Sequence, residues 1–378
     1  MGEGARGGQP LPPLPYPLPQ PLTEGWEGSL RGGRGNHRRD ACGYHPPALP
    51  STEQVMTSPR RFAALDVGSL TVRLAVAEGL TAGKFRVLVH RREVTGLGRG
   101  LAATGELAPA GMARTLEALK DFQRVMAAHQ VEVCRAVGTQ ALRQAANRQV
   151  FLDRVREALG LAVEVLAPEE EARLSLAGVL SVLHPEVLAA PAVLVFDVGG
   201  GSSEFALVRP GAETVFASLP LGVLTLSQAR PLGNPPLPEK VAVLHRDIAA
   251  RMAEFYRETL KPHLAAAPRL VGTAGAVTTL AAMHLKLRPY DPHKINHTIL
   301  TRAQVAALAE QMAQLPEAER ARLVGMEPAK AGVMVAGALI VLTILEVCRR
   351  DSLVVIDAGL LEGVLQEMAP KFSVSGSG

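Results

Sequence analysis

The chain has little cysteine, little net charge, and no apolar run long enough to cross a bilayer. Its three cysteines, Cys42, Cys134 and Cys348, are widely spaced and form no Cys-x-x-Cys pair. That excludes a disulfide framework and a cysteine-based zinc site, and it points to a reducing compartment, the cytoplasm. The formal charge is +4, from 40 basic and 36 acidic residues. Residues 1–58 hold five of each sign, so the whole excess sits in the remainder. This is a mild bias towards anionic ligands and far short of a nucleic-acid-binding patch. The uncharged stretch AGVMVAGALIVLTIL, residues 331–345, falls short of the roughly 20 residues that a spanning helix needs. Its Ala and Gly content suits a helix buried between other elements, so no membrane partner is expected. The first 58 residues also lack the 7–15-residue apolar core of a secretion signal.

What is present divides unevenly. Residues 1–58 contain ten Pro and ten Gly, including LPPLPYPLPQPL, and no periodicity from which a core could be built. They read as a disordered extension with polyproline II character, either an unstructured tail or a ligand for an aromatic groove. Met56 offers an alternative start, and SVSGSG at residues 373–378 reads as a flexible tail. From residue 59 strands and helices alternate, which predicts an α/β protein. RFAALDVGS, TVRLAVAEG and KFRVLVHRREV read as strands. PAGMARTLEALKDFQRVMAAHQ reads as an amphipathic helix, VEVCRAVGT and LAVEVLAP as strands, and NRQVFLDRVREALG as a helix closed by Gly160.

The pattern then restarts. Asp197 in LVFDVGGGSSEFAL stands 131 residues after Asp66 in AALDVGSLTVRLAV, each at the end of an apolar strand that enters a turn of small residues. Two similar domains are predicted, residues 59–174 and 175–372, with their turns lining a shared cleft. Gly199, Gly200 and Gly201 let the backbone aim several amides at one anion, and Ser202, Ser203 and Ser69 add hydroxyls. Asp66 and Asp197 repel phosphate, so their place beside such a nest makes sense with a divalent cation between them. GTAGAVTTLAAM, residues 272–283, is a third small-residue turn before a helix, read either as an anion site or as close packing. YDPHKINH, with Asp291, His293 and His297, reads as a solvated loop rather than a metal site. Glu171 opens a helix, where it is either a base or a charge complementing the helix dipole.

Taken in order, FAALDVGSLTVRLAVAEG, GTQALRQAANRQVFL, EEEARLSLAGV, VFDVGGGSSEFAL, LPLGVLTL, LVGTAGAVTTLAAM and GLLEGVLQEM resemble the exopolyphosphatase and guanosine pentaphosphate phosphatase family over residues 62–368. The resemblance implies the duplicated actin-like ATPase (ribonuclease H-like) fold in its short form. It implies hydrolysis of phosphoanhydride bonds in polyphosphate or guanosine pentaphosphate, with Mg²⁺ or Mn²⁺, and often a homodimer. By the same resemblance, Asp66, Gly68 and Ser69, and Gly199, Gly200, Gly201 and Ser202, form paired phosphate loops, and Gly272 and Gly275 lie in a third. Glu171 matches the general base, Glu204 a second acidic residue, and Arg143 a phosphate-binding arginine. Asp66, Asp197 and Glu204 would carry the cation. Three positions depart from the family pattern: Leu70 replaces a usual Asn, while Lys330 and Leu361 replace usual Arg residues, which removes bidentate forks for phosphate. A kinase of the same fold and a non-catalytic polyphosphate or alarmone sensor are the competing readings.

Overall fold

The computed structural model describes residues 60–80 and 83–372. The Pro/Gly-rich extension and the final tail lie outside the described residues. Three antiparallel strands open the first sheet: β1 (Arg61–Val67), β2 (Thr71–Gly79) and β3 (Phe85–Val94). The helix Pro109–Ala128 follows and buries Met112, Leu119, Phe122 and Met126 along one stripe, the 3.6-residue period that its sequence carries. β4 (Val133–Gly138) returns parallel to β1. The helix Arg148–Leu159 ends at Gly160, whose φ of 65° allows its amide to reach the Arg156 carbonyl. β5 (Val163–Val165) completes the order β3-β2-β1-β4-β5.

The second sheet repeats the plan. β6 (Val193–Val198), β7 (Ser203–Val208) and β8 (Val215–Leu219) form the meander, and β9 (Arg269–Thr273) runs parallel to β6. β10 (Ile299–Thr301) and β11 (Ser352–Val355) extend the far edge, giving β10-β11-β9-β6-β7-β8. This duplication is the expected actin-like fold. Both central strands, β1 and β6, are almost continuously buried, because helices and neighbouring strands cover both of their faces. The uncharged stretch becomes the helix Met334–Val347, buried at every position from Met334 to Leu345. Among the described residues no helix is long and apolar enough to cross a membrane.

Two helices cross between the sheets, Pro168–Val182 and Leu360–Met368. Their backbones touch: a β-carbon on Gly178 would overlap the Gly359 carbonyl, and one on Gly363 would overlap the Leu174 carbonyl. The second crossing helix corrects the domain boundary drawn from sequence, which assigned residues 175–372 to the second half. Leu360, Leu361, Val364, Leu365 and Phe372 pack with Phe62, Ala64, Ala75 and Ala77. The rings of Phe62 and Phe372 stack at 4.8 Å. The apolar outer face of β1 and β2 needs a cover, and the returning chain end supplies it. The YDPHKINH reading is also corrected. Asp291 caps a short helix, Pro292–Ile295, by accepting from the His293 amide at 3.0 Å, and the ring of His297 stacks on that of His184 at 3.5 Å.

Candidate active site

The two hairpins place equivalent residues at equivalent points. In the first, the Gly68 amide donates to the Thr71 carbonyl at 3.1 Å; in the second, the Gly199 amide donates to the Ser202 carbonyl at 3.0 Å. A β-carbon on Gly68 would sit 2.8 Å from that Thr71 oxygen, so the turn requires glycine there. Strand register pairs Asp66 with Arg73 and Asp197 with Glu204. The duplicated position thus carries a cation in one half and a carboxylate in the other.

The turns meet face to face. A side chain on Gly200 would lie 2.9 Å from Leu70 Cβ, and one on Gly201 would overlap the Gln140 amide and come within 3.0 Å of Ser69 Oγ. Leu70 is 6 % exposed and joins the apolar cluster of the second half. The departure at this position has therefore become a contact across the cleft. Between and behind the turns lies a cavity of about 330 Å³. Asp66, Gly68, Ser69, Glu171, Asp197, Gly199, Gly200, Gly201, Ser202, Glu204 and Gly275 all line it.

Glu171 reaches the cavity from the start of the first crossing helix, where Glu170 instead pairs with Arg173 on the surface. Arg143 Nη1 donates to Glu171 Oε2 at 2.5 Å and to the Leu166 carbonyl at 3.1 Å. Burial pushes the Glu171 carboxyl up to about 7; Arg143 opposes this, and the charges of Asp66 and Asp197 reinforce it. Glu204 is held well above the usual carboxylate range by burial and then by Glu171 and Asp197, against the hydroxyls of Ser202 and Ser218, which donate to its Oε1 at 2.5 and 3.1 Å. Asp197 is likewise raised by burial, with Arg73 and the Ser175 hydroxyl, 3.1 Å from Oδ2, opposing and Asp66 adding repulsion. Arg73 donates twice to Asp66 Oδ2, at 2.9 and 2.6 Å. Its buried guanidinium would lose proton affinity from burial alone, but Asp66 and Asp197 raise it above its ordinary value.

Two expected phosphate contacts are placed elsewhere. Arg143 is turned towards Glu171 and stays off the cavity wall. Gly272 lies inside β9, where a β-carbon would come within 2.8 Å of the Phe196 ring, so its smallness serves strand packing. Conversely, Arg73, Tyr290 and Glu362 line the cavity without having been assigned a role from sequence, and Lys330, singled out there as replacing an Arg, lines it too. Arg73 carried a signal: it follows Asp66 by seven residues, as Glu204 follows Asp197. Glu362 accepts from the Gly359 amide at 2.7 Å, and burial raises its carboxyl despite His90 nearby.

The donor set is suited to a cation shared with substrate. Among the described residues no group of three or more His, Cys, Asp or Glu side chains converges as a metal cage. Asp66 Oδ1, however, is buried and accepts no hydrogen bond, and Asp66 and Asp197 repel each other across the cavity. Mg²⁺ typically takes one or two carboxylates and completes its shell with water and phosphate oxygens.

Comparisons with known proteins point to one family. Residues 76–372 match the Ppx/GppA phosphatase family. The chain is 32% identical over 328 residues to Exopolyphosphatase 2 of Mycobacterium tuberculosis, covering 82% of this chain and 98% of that protein. The crystal structure of the Aquifex aeolicus member of the Ppx/GppA family superimposes with a TM-score of 0.67 at 33% identity, covering 82% of this chain and 98% of that one. An exopolyphosphatase structure from Cytophaga hutchinsonii gives a TM-score of 0.70 at 25% identity with the same coverage. With the match running from β2 to the end of the described chain, and two full-length relatives at about one-third identity, the chain belongs to the Ppx/GppA phosphatase family.

Proposed function

We propose that the protein hydrolyses phosphoanhydride bonds, removing terminal phosphate from inorganic polyphosphate. The observation that carries this reading is Glu171, pushed up to about 7 and facing two glycine turns across one cavity. A base with a pKa near the working pH accepts a proton most effectively, and a positioned carboxylate contributes ~10²–10⁴-fold. Arg143 orients Glu171 and keeps part of it ionised. Among the described residues, the amides of Gly200 and Gly201 donate no hydrogen bond inside the protein, which leaves them to phosphoryl oxygens. Ser69 adds a hydroxyl at the same wall, while that of Ser202 is donated to Glu204. Asp66 and Asp197 would hold Mg²⁺ or Mn²⁺ together with phosphate oxygens, with Glu204 beside them. When bound, the cation offsets the negative charge of the transferred group. The relatives named exopolyphosphatase favour polyphosphate over guanosine pentaphosphate.

The test is phosphate release by the full chain with Mg²⁺ from long polyphosphate, tripolyphosphate, guanosine pentaphosphate and ATP in parallel. Polyphosphate is expected to be the best substrate, and Glu171→Gln is expected to lose ~10²–10⁴-fold in kcat with binding kept. Near-normal turnover by that variant would end the base assignment. Polyphosphate binding without release from the wild type would replace the hydrolase by a sensor.

A further inference from the structure

Away from Glu171, the cavity wall carries an arrangement that the reaction as described does not use. Arg92 extends from β3 in the first half and lays its guanidinium 4.5 Å from the centre of the Tyr290 ring in the second. Tyr290 is fixed beneath it by donating to Asp357 Oδ2 at 2.8 Å. Arg92 Nε also lies 3.4 Å from Glu327 Oε2, and Lys330 Nζ lies 2.8 Å from the same oxygen. One carboxylate oxygen therefore stands between two cations, one from each half of the fold. That oxygen is buried, with Lys330 the nearer of its two partners. Arg92 and Lys330 line the cavity, while Glu327 stands behind them. Lys330 also borders the third glycine turn, its Nζ 3.0 Å from where a Gly275 β-carbon would be.

Glu327 thus pairs closely with Lys330 and still faces Arg92, so its one charge is divided between two cations of the cavity wall. We propose that Glu327 is a positioning residue that holds Arg92 and Lys330 at the wall as a phosphate subsite and weakens it, cancelling part of the charge that substrate would otherwise meet. The inference rests on the polyphosphate reading above. Its consequence is opposite to that of an ordinary binding residue: neutralising Glu327 tightens the hold on a polyanion. Because the subsite is assembled from both halves, substrate phosphate there also takes over a contact that spans the cleft.

The test compares wild type, Glu327→Gln, Arg92→Gln and the double variant. Tripolyphosphate binding is measured by calorimetry without turnover, and KM and kcat for polyphosphate are measured at low and high salt. Glu327→Gln keeps the side-chain size and is expected to lower Kd and KM roughly 3–10-fold, with kcat within about twofold and a steeper loss of affinity with salt. An unchanged or raised KM in the folded variant overturns the proposal. Arg92 is 34% exposed at its side chain, so its substitution is compatible with folding even if that of Glu327 is not. Arg92→Gln is expected to raise KM, and to raise it more in the Glu327→Gln background; an unchanged KM in Arg92→Gln overturns the subsite. Wild-type protein that neither binds tripolyphosphate nor releases phosphate would defeat the functional reading and this inference together. Wild-type hydrolysis that is indifferent to Glu327 would defeat this inference alone.

Discussion

Asp66, Glu171, Asp197 and Glu204 share one cavity, and their surroundings divide the work among them. Asp66 is tied to Arg73 by two bonds, Asp197 and Glu204 are held by serine hydroxyls, and Glu171 is tied to Arg143, which is off the cavity wall. The rate should therefore report the titration of Glu171. As the base proposed above, Glu171 would act in its ionised form, so kcat/KM is expected to rise as pH passes through about 7 and level off above it. Arg143 lowers the Glu171 pKa, so removing that charge must raise it. Arg143→Gln is expected to move the rising limb to higher pH, with a loss at pH 7 that alkali partly restores. A pH–rate series on the two proteins decides this. If Arg143 instead held substrate phosphate directly, KM would rise while the midpoint stayed in place.

At the scale of elements, the two hairpins were legible because three signals coincided: apolar runs, an Asp at the strand end, and small residues spaced identically 131 residues apart. The helix Arg148–Leu159 and its stop at Gly160 were legible from periodicity and one glycine. Gly272 misled because a glycine that admits a phosphate and a glycine that admits Phe196 look the same in one dimension. Tyr290 and Glu362 reach the cavity from segments far along the chain, and nothing local marks such convergence. The crossing of helices Pro168–Val182 and Leu360–Met368 was equally hidden, since Gly178 and Gly363 reveal their purpose only when the helices are together. Each faces backbone, which cannot swing aside as a side chain can. Gly178→Ala and Gly363→Ala are each expected to cost about 2–3 kcal/mol or more by overpacking. Gly160→Ala, with open space but positive φ, should cost only about 1 kcal/mol. Thermal or urea unfolding of the three variants checks the order, and equal losses would deny the crossing its special closeness.

For the molecule as a whole, the duplication brings two Asp-bearing turns into contact, and that contact sets the electrostatic problem that the protein must solve. Asp66, Glu171, Asp197, Glu204, Asp357 and Glu362 line the cavity together with Arg73, Arg91, Arg92 and Lys330, and Arg92 and Lys330 already share Glu327. Burial raises several of these carboxyls, which eases their mutual repulsion but does not attract a polyanion. On the reading proposed above, a cation and a substrate phosphate together would satisfy the orphaned Asp66 oxygen and each other. Metal and substrate should therefore bind with positive coupling. Mg²⁺ titrated alone is expected to bind weakly, in the millimolar range, and to leave the melting temperature nearly unchanged, while tripolyphosphate and Mg²⁺ together should raise it by several degrees. Chelation should abolish phosphate release without unfolding the chain, and added Mg²⁺ should restore it. Tight Mg²⁺ binding in the absence of any phosphate would mean that the turns form a resident metal centre, and the picture of a cation delivered with its substrate would have to be abandoned.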